Sequence, residues 1–300
     1  MSAIEWCDVT WNPVVGCTRV SPGCDNCYAI GVAARNLCDQ HKGLTKIRPK
    51  TAARSGVDWN GTIRFVLERL IDPLKWKKPR RVFVNSMSDL FHQRVPLSYR
   101  AAIFSVMAAC PQHTFIVVTK RPGPNAIPWR SPQETNDSTM GYAKRYQEYY
   151  RWPAPDFGTI PWPLPNVHIL VSAEDQHSWD KRVPLLLDMP AAVRGVSAEP
   201  LLESIEPHWL EKLNWLVVGG ESGRGARYCN TEWLRSLRTH AARDGVPIFV
   251  KQLGSNSIGS GTQIGKGNDM ATWPEYLRVR EFPQSVVEAG TGCRNPRGVA

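Results

Sequence analysis

The sequence has no run approaching the ~18 consecutive apolar residues of a spanning helix. Its start, Met1-Ser2-Ala3-Ile4-Glu5-Trp6-Cys7-Asp8, lacks the basic head and apolar stretch of a secretory leader. No block of like charge marks a disordered tail, no internal sequence repeat is present, and Gly (23) and Pro (24) are near ordinary usage. Collagenous and disordered classes are thereby excluded. Eight cysteines in 300 residues are too sparse for a disulfide-stapled mini-protein. These absences predict a cytoplasmic protein without membrane attachment, where thiols stay reduced and clustered cysteines act as metal or cluster ligands.

What is present is a chain 42% hydrophobic with a formal charge of +10, which points to a polyanionic partner or to simple solubility. Short apolar runs recur and end abruptly in polar residues or glycine. Val82-Phe83-Val84 runs into Asn85, and Phe115-Ile116-Val117-Val118 into Thr119-Lys120-Arg121. Val167 to Val171 leads to Ser172-Ala173-Glu174, and Val193 to Val196 to Ser197-Ala198-Glu199. Trp215 to Val218 leads to Gly219-Gly220-Glu221, and Ile248-Phe249-Val250 to Lys251. Unalternated runs of this length suit strands buried on both faces of a parallel sheet. Their spacing leaves room for crossover helices, expected over residues 98–109, 180–187 and 231–244, the last with Thr231 as N-cap and Gly245 as stop. The expected fold is α/β: a parallel (β/α) barrel, complete or partial, with its chemistry at the C-terminal rim, or else a doubly wound open sheet. The barrel domain spans residues 1–253, with an aromatic-rich insertion at about 123–165. A Gly/Ser-rich segment and tail occupy 254–300, with order expected around 273–283.

Cys17, Cys24 and Cys27 stand three within eleven residues, in a loop punctuated by Gly16, Pro22 and Gly23 that can turn its sulfurs inward. With a fourth ligand such as Cys7, Cys38 or His41 the group makes a closed zinc site, and hence a zinc-stabilised nucleic-acid binder without catalysis. With three, a [4Fe–4S] cluster keeps one iron open. Other candidates are Glu199, as a catalytic carboxylate or a satisfied rim charge, and Cys229, whose thiol is placed to donate a hydrogen atom. Gly219-Gly220-Glu221 is either a ligand approach or a tight turn. Lys120 and Arg121 are a carboxylate or phosphate grip, or a surface ion-pair network. The basic run from Lys75 to Arg81 reads as phosphate contact or a solvated junction.

The ordered series Trp11-Asn12-Pro13, Gly16-Cys17, Cys24, Cys27-Tyr28, Trp59-Asn60-Gly61-Thr62, Asn85 to His92, Thr119-Lys120-Arg121-Pro122, Ser172 to Gln176, Glu199-Pro200-Leu201-Leu202, Val218 to Gly223 and Lys251-Gln252 resembles the phage-associated three-cysteine radical S-adenosylmethionine family. The resemblance covers residues 3–254. It implies that Cys17, Cys24 and Cys27 hold a [4Fe–4S] cluster and that S-adenosylmethionine is cleaved to a 5′-deoxyadenosyl radical. By analogy of position, Asn85, Ser86, Ser88 and Asp89 would grip the methionyl ammonium, Ser172 and Glu174 the ribose, and Gly219, Gly220 and Glu221 the cofactor. The six-residue first gap and the placing of Tyr28 after the last cysteine depart from the commonest pattern of such enzymes.

The same resemblance implies a phage context, with reduction by a host flavodoxin or ferredoxin. The implied reaction is an isomerisation that moves a glycyl group on thymidine of phage DNA from nitrogen to carbon linkage, a hypermodification that evades restriction. A radical lyase or repair enzyme acting on a base, a tRNA or a protein is the alternative. Reaching a base in duplex DNA requires its extrusion, for which the segment 142–152, rich in Tyr and Trp, is the expected lid.

Overall fold

The structure, a computed structural model, describes residues 4–48, 56–128, 144–146, 148, 149, 151, 160–223, 225–258 and 265–284. Every apolar run singled out above forms a strand: β2 (Arg81–Val84), β3 (Thr114–Thr119), β4 (Val167–Ser172), β5 (Val193–Ala198), β6 (Trp215–Gly219) and β7 (Ile248–Gln252). A short first strand, β1 (Val9–Trp11), precedes them. All pair in parallel, and their order in the sheet is their order in the sequence. All six residues of β4 and all five of β6 are buried, as lack of alternation requires.

A doubly wound sheet reverses strand order at a switch point, and this one does not. Nor is it a closed barrel, since β1 and β7 are the two edges. The sheet nevertheless curls. The Trp6 ring lies 4.7 Å from Phe83 on β2 and 6.4 Å from Trp215 on β6, four strands further along. The result is a seven-stranded half-barrel, the partial form of the expected fold.

Side chains alternate between the two faces. Ile116, Leu170, Trp215, Val217 and Phe249 point inward and pack with Trp6 and Cys7. Val117, Ile169, Val196, Val218 and Val250 point outward into the larger core shared with the helices. Those helices follow strands as a βα repeat demands: α1 (Tyr28–Ala34), α2 (Leu97–Ala108), α3 (Gln176–Leu187) and α4 (Thr231–Asp244). The N-cap of α4 is Asn230, whose side chain accepts from the Glu232 N–H, and not Thr231. Gly245 ends the helix in the left-handed conformation, as expected. α3 begins earlier than its apolar pattern, because Asp175 caps it through the Ser178 N–H at 2.7 Å.

The tail is part of the fold. Phe282 lies 5.6 Å from Trp215 and 5.2 Å from Phe249, with the Arg81 guanidinium 4.5 Å above its ring, so it closes the N-terminal end of the half-barrel. Glu281 fixes it there by accepting from the Trp215 indole and the Ile248 N–H. Among the described residues, no helix is long and apolar enough to cross a membrane.

Candidate functional site

The opposite, C-terminal end of the sheet is open and holds two adjoining cavities. One, of about 160 Å³, is lined by Cys17, Cys24 and Cys27 together with Asn85, Ser88, Asp89 and Arg121. The second, of about 210 Å³, is bounded by Ser197, Glu199, Gly220, Glu221, Lys251 and Gln252. Cys24, Cys27, Tyr28, Phe83, Lys120 and Ser172 border both. Residues from β2 to β7 thus meet at one rim, as the polar strand ends require.

The cysteine loop carries little apolar surface of its own and is held by charge. On one side Glu174, fully buried, accepts from the Gly23 N–H at 3.2 Å and from Arg182 on α3 at 2.9 Å, with the Lys120 ammonium at 3.7 Å. Burial would push this carboxyl up, but Lys120 and Arg182 hold it down at about 2. Gly23 is required there: a Cβ would lie 2.8 Å from the Glu174 carboxyl carbon.

On the other side Glu221 accepts from Asn26 at 2.7 Å and from Arg227 at 2.7 Å, while Arg227 also donates to the Pro22 carbonyl. Arg19 reaches the Cys24 carbonyl at 2.9 Å and Asp25 at 3.0 Å. Arg121 donates to the Thr18 carbonyl at 2.7 Å and to Asp89 at 2.9 Å, and its Nη1 lies 3.7 Å from the Cys17 Sγ.

The proposed site residues therefore sort by position. Asp89 is saturated: its oxygens accept from the Phe91 N–H, the Thr119 hydroxyl, the Lys120 N–H and Arg121. Ser86 donates to Asn12 Oδ1 and Ser88 to the Val14 carbonyl. Glu199 sits in the mouth, ion-paired to Lys251 at 2.5 Å. Ser172 lies between the cavities. Gly220 faces the mouth and backs onto Leu253, whose carbonyl oxygen would lie 2.1 Å from a Cβ. Gly219 lies behind it against Gln252 and borders neither of the two cavities.

Cys229 is not brought to the mouth. Its side chain is fully buried in the helix-side core and lines neither cavity. Of the lid segment 142–152, residues 144–146, 148, 149 and 151 are among the described residues and the rest lie outside them.

Residues that sequence reasoning passed over are Arg182, Arg227 and Asn26, while Lys251 was singled out as a motif without a role. Only Lys251 carried a local signal, as the polar inward position following Ile248-Phe249-Val250.

A family model of proteins of unknown function, DUF5131, matches residues 1–276. The chain belongs to the DUF5131 family. No curated protein and no solved structure matches it.

In this DUF5131 chain the donor set bordering the first cavity is three thiols, the ligand type that iron–sulfur clusters take. Among the described residues no cysteine is in a disulfide, and three thiols of one loop share one cavity wall. Burial, with Asp89 adding to it, pushes the Cys17 thiol up to about 12. Arg121 and Lys120 stand beside the thiols as compensating cations. Asn85, which borders the same cavity, has a buried Nδ2 without a partner.

Among the described residues, no group of three or more His, Cys, Asp or Glu side chains is gathered as the ligands of a single ion would be. The candidates for a fourth zinc ligand border neither cavity: Cys7 lies in the inner core, and Cys38 and His41 line a groove that adjoins them.

Proposed function

We propose that this DUF5131 chain is a radical S-adenosylmethionine enzyme of the partial-barrel type, with Cys17, Cys24 and Cys27 as the three protein ligands of a [4Fe–4S] cluster. The observation that carries the reading is the meeting of three thiols from one charge-clamped loop at the C-terminal mouth of a parallel half-barrel, next to a second polar cavity. When bound, the cluster supplies the electron that splits the sulfonium of S-adenosylmethionine into methionine and a 5′-deoxyadenosyl radical; the electron comes from a flavodoxin or ferredoxin.

The chain's own residues have separable tasks. Glu174, Glu221, Arg19 and Arg121 hold the cysteine loop in one geometry before any ligand arrives, the preorganisation that a precise site needs. Lys120 and Ser172, on the wall common to both cavities, face any molecule that reaches from one to the other. The Glu199–Lys251 pair presents a carboxylate and an ammonium to a ligand in the mouth. Phe83 and Val118 close the floor against water.

For the substrate we propose a thymidine adduct in phage DNA, with a glycyl group moved from nitrogen to carbon linkage. The formal charge of +10 and the ordered motifs that resemble the three-cysteine phage family support it. The experiment is anaerobic reconstitution with iron and sulfide, followed by metal analysis and mass analysis of nucleosides from DNA exposed to the loaded enzyme. A brown protein with about four irons that alters a thymidine adduct is expected. A colourless protein with stoichiometric zinc would refute the cluster, and unchanged DNA with an altered tRNA or protein would refute the substrate.

A further inference from the structure

Asn85 occupies the first position after β2, with φ of +61°, a left-handed backbone that Asn tolerates better than most residues. It is 2% exposed. Its N–H donates to the Trp11 carbonyl at 2.8 Å, and its carbonyl accepts from the Ser88 N–H. The side-chain oxygen accepts from the Val14 N–H at 3.3 Å. Because Val14 offers a donor, the oxygen is fixed on that side and the NH2 group is the end left buried without a partner.

That group has no partner, although leaving a buried donor unmade is costly. Ser86, Ser88 and Asp89 beside it are all satisfied. Asn85 borders the cysteine cavity and not the mouth cavity. The segment leading to Cys17 is stitched to the same turn, since the Gly16 N–H donates to the Met87 carbonyl at 3.0 Å.

A methionyl ammonium needs an acceptor, and Asn85 has only a donor left. We propose that Asn85 is a positioning residue whose Nδ2–H donates to a sulfur of the cluster, a sulfide or a cysteine thiolate, and so raises the cluster's reduction potential. This rests on the cluster reading above. Reduction places additional negative charge on the sulfurs, so a donor hydrogen bond stabilises the reduced form more than the oxidised one.

The test is an EPR-monitored redox titration of the reconstituted protein, with and without S-adenosylmethionine, for wild type, Asn85→Asp and Asn85→Gly. Asp keeps the acceptor for Val14 and the backbone conformation but removes the donor; Gly removes the whole side chain at a φ it adopts freely. In the absence of S-adenosylmethionine both variants should titrate at a lower midpoint than wild type, the Asp variant lowest. Unmoved midpoints in loaded variants would overturn this role while leaving the cluster reading standing. A shift seen only with S-adenosylmethionine present would do the same and assign the amide to the cofactor. A wild-type protein that takes up no iron–sulfur cluster would overturn both.

Discussion

Replacing Glu174 by Gln removes one charge while keeping the shape and an oxygen for the Gly23 N–H. Arg182, 6% exposed, and Lys120 then lose their common anion. The carboxyl titrates at about 2 against an ordinary 4.5, and 2.5 units at 1.36 kcal/mol each give roughly 3 kcal/mol of stabilisation. Breaking a buried pair by removing one partner costs about 3–5 kcal/mol, in the same range. A folded pKa below the unfolded one stabilises fully above about 4.5 and is lost as pH falls through about 2; by pH 3 roughly 1 kcal/mol should remain. Urea unfolding followed by tryptophan fluorescence at pH 7 and pH 3 measures both. Glu174→Gln should lose about 3 kcal/mol at pH 7 and converge on wild type in acid, and its loosened loop should retain less iron after reconstitution. A loss under about 1 kcal/mol at pH 7, or one that does not shrink in acid, would refute the clamp.

His168 on β4 is buried with neither ring nitrogen partnered, and burial drives its pKa down to about 4. The folded state therefore resists protonation, and stability falls as pH drops from about 6.5 to about 4, by roughly 3 kcal/mol. A His168→Leu variant should keep more of its pH 7 stability at pH 4.5 than wild type; identical acid-unfolding curves would count against this. His92, also held down to about 4 by burial and Arg121, contributes the same trend in both proteins. Gly220→Ala should lower the melting temperature, since its Cβ would meet the Leu253 carbonyl, a clash worth about 1–3 kcal/mol. Gly31→Ala in α1, where nothing stands within 4 Å, should instead raise stability by about 0.5–1 kcal/mol. Thermal melts of the two variants check both signs.

The layer architecture was legible because burial on two faces writes an unbroken apolar run, as in Val167 to Val171 and Trp215 to Val218. β1 was harder, having only three residues to declare itself. Half-closure was not legible, since strand count and curl depend on packing around Trp6. Within the site, the carboxylates and thiols could be picked out by residue type, but their partners could not. Gly23 meets Glu174 across 151 residues and Asn26 meets Glu221 across 195. Local pattern carries no record of such pairings, so the bonds by which Glu174 and Glu221 hold the cysteine loop had no signature in it. Cys229 lies in the helix-side core for a similar reason: nearness in sequence to a glycine-rich rim says nothing about which face its thiol takes.

The most direct measurement is formation of 5′-deoxyadenosine after anaerobic reconstitution, reduction and addition of S-adenosylmethionine, for wild type and Cys24→Ala. Cleavage by wild type and its loss in the variant is the expected result. No 5′-deoxyadenosine from a protein that carries a full cluster, or undiminished cleavage by Cys24→Ala, would contradict the assignment of these three cysteines to radical chemistry.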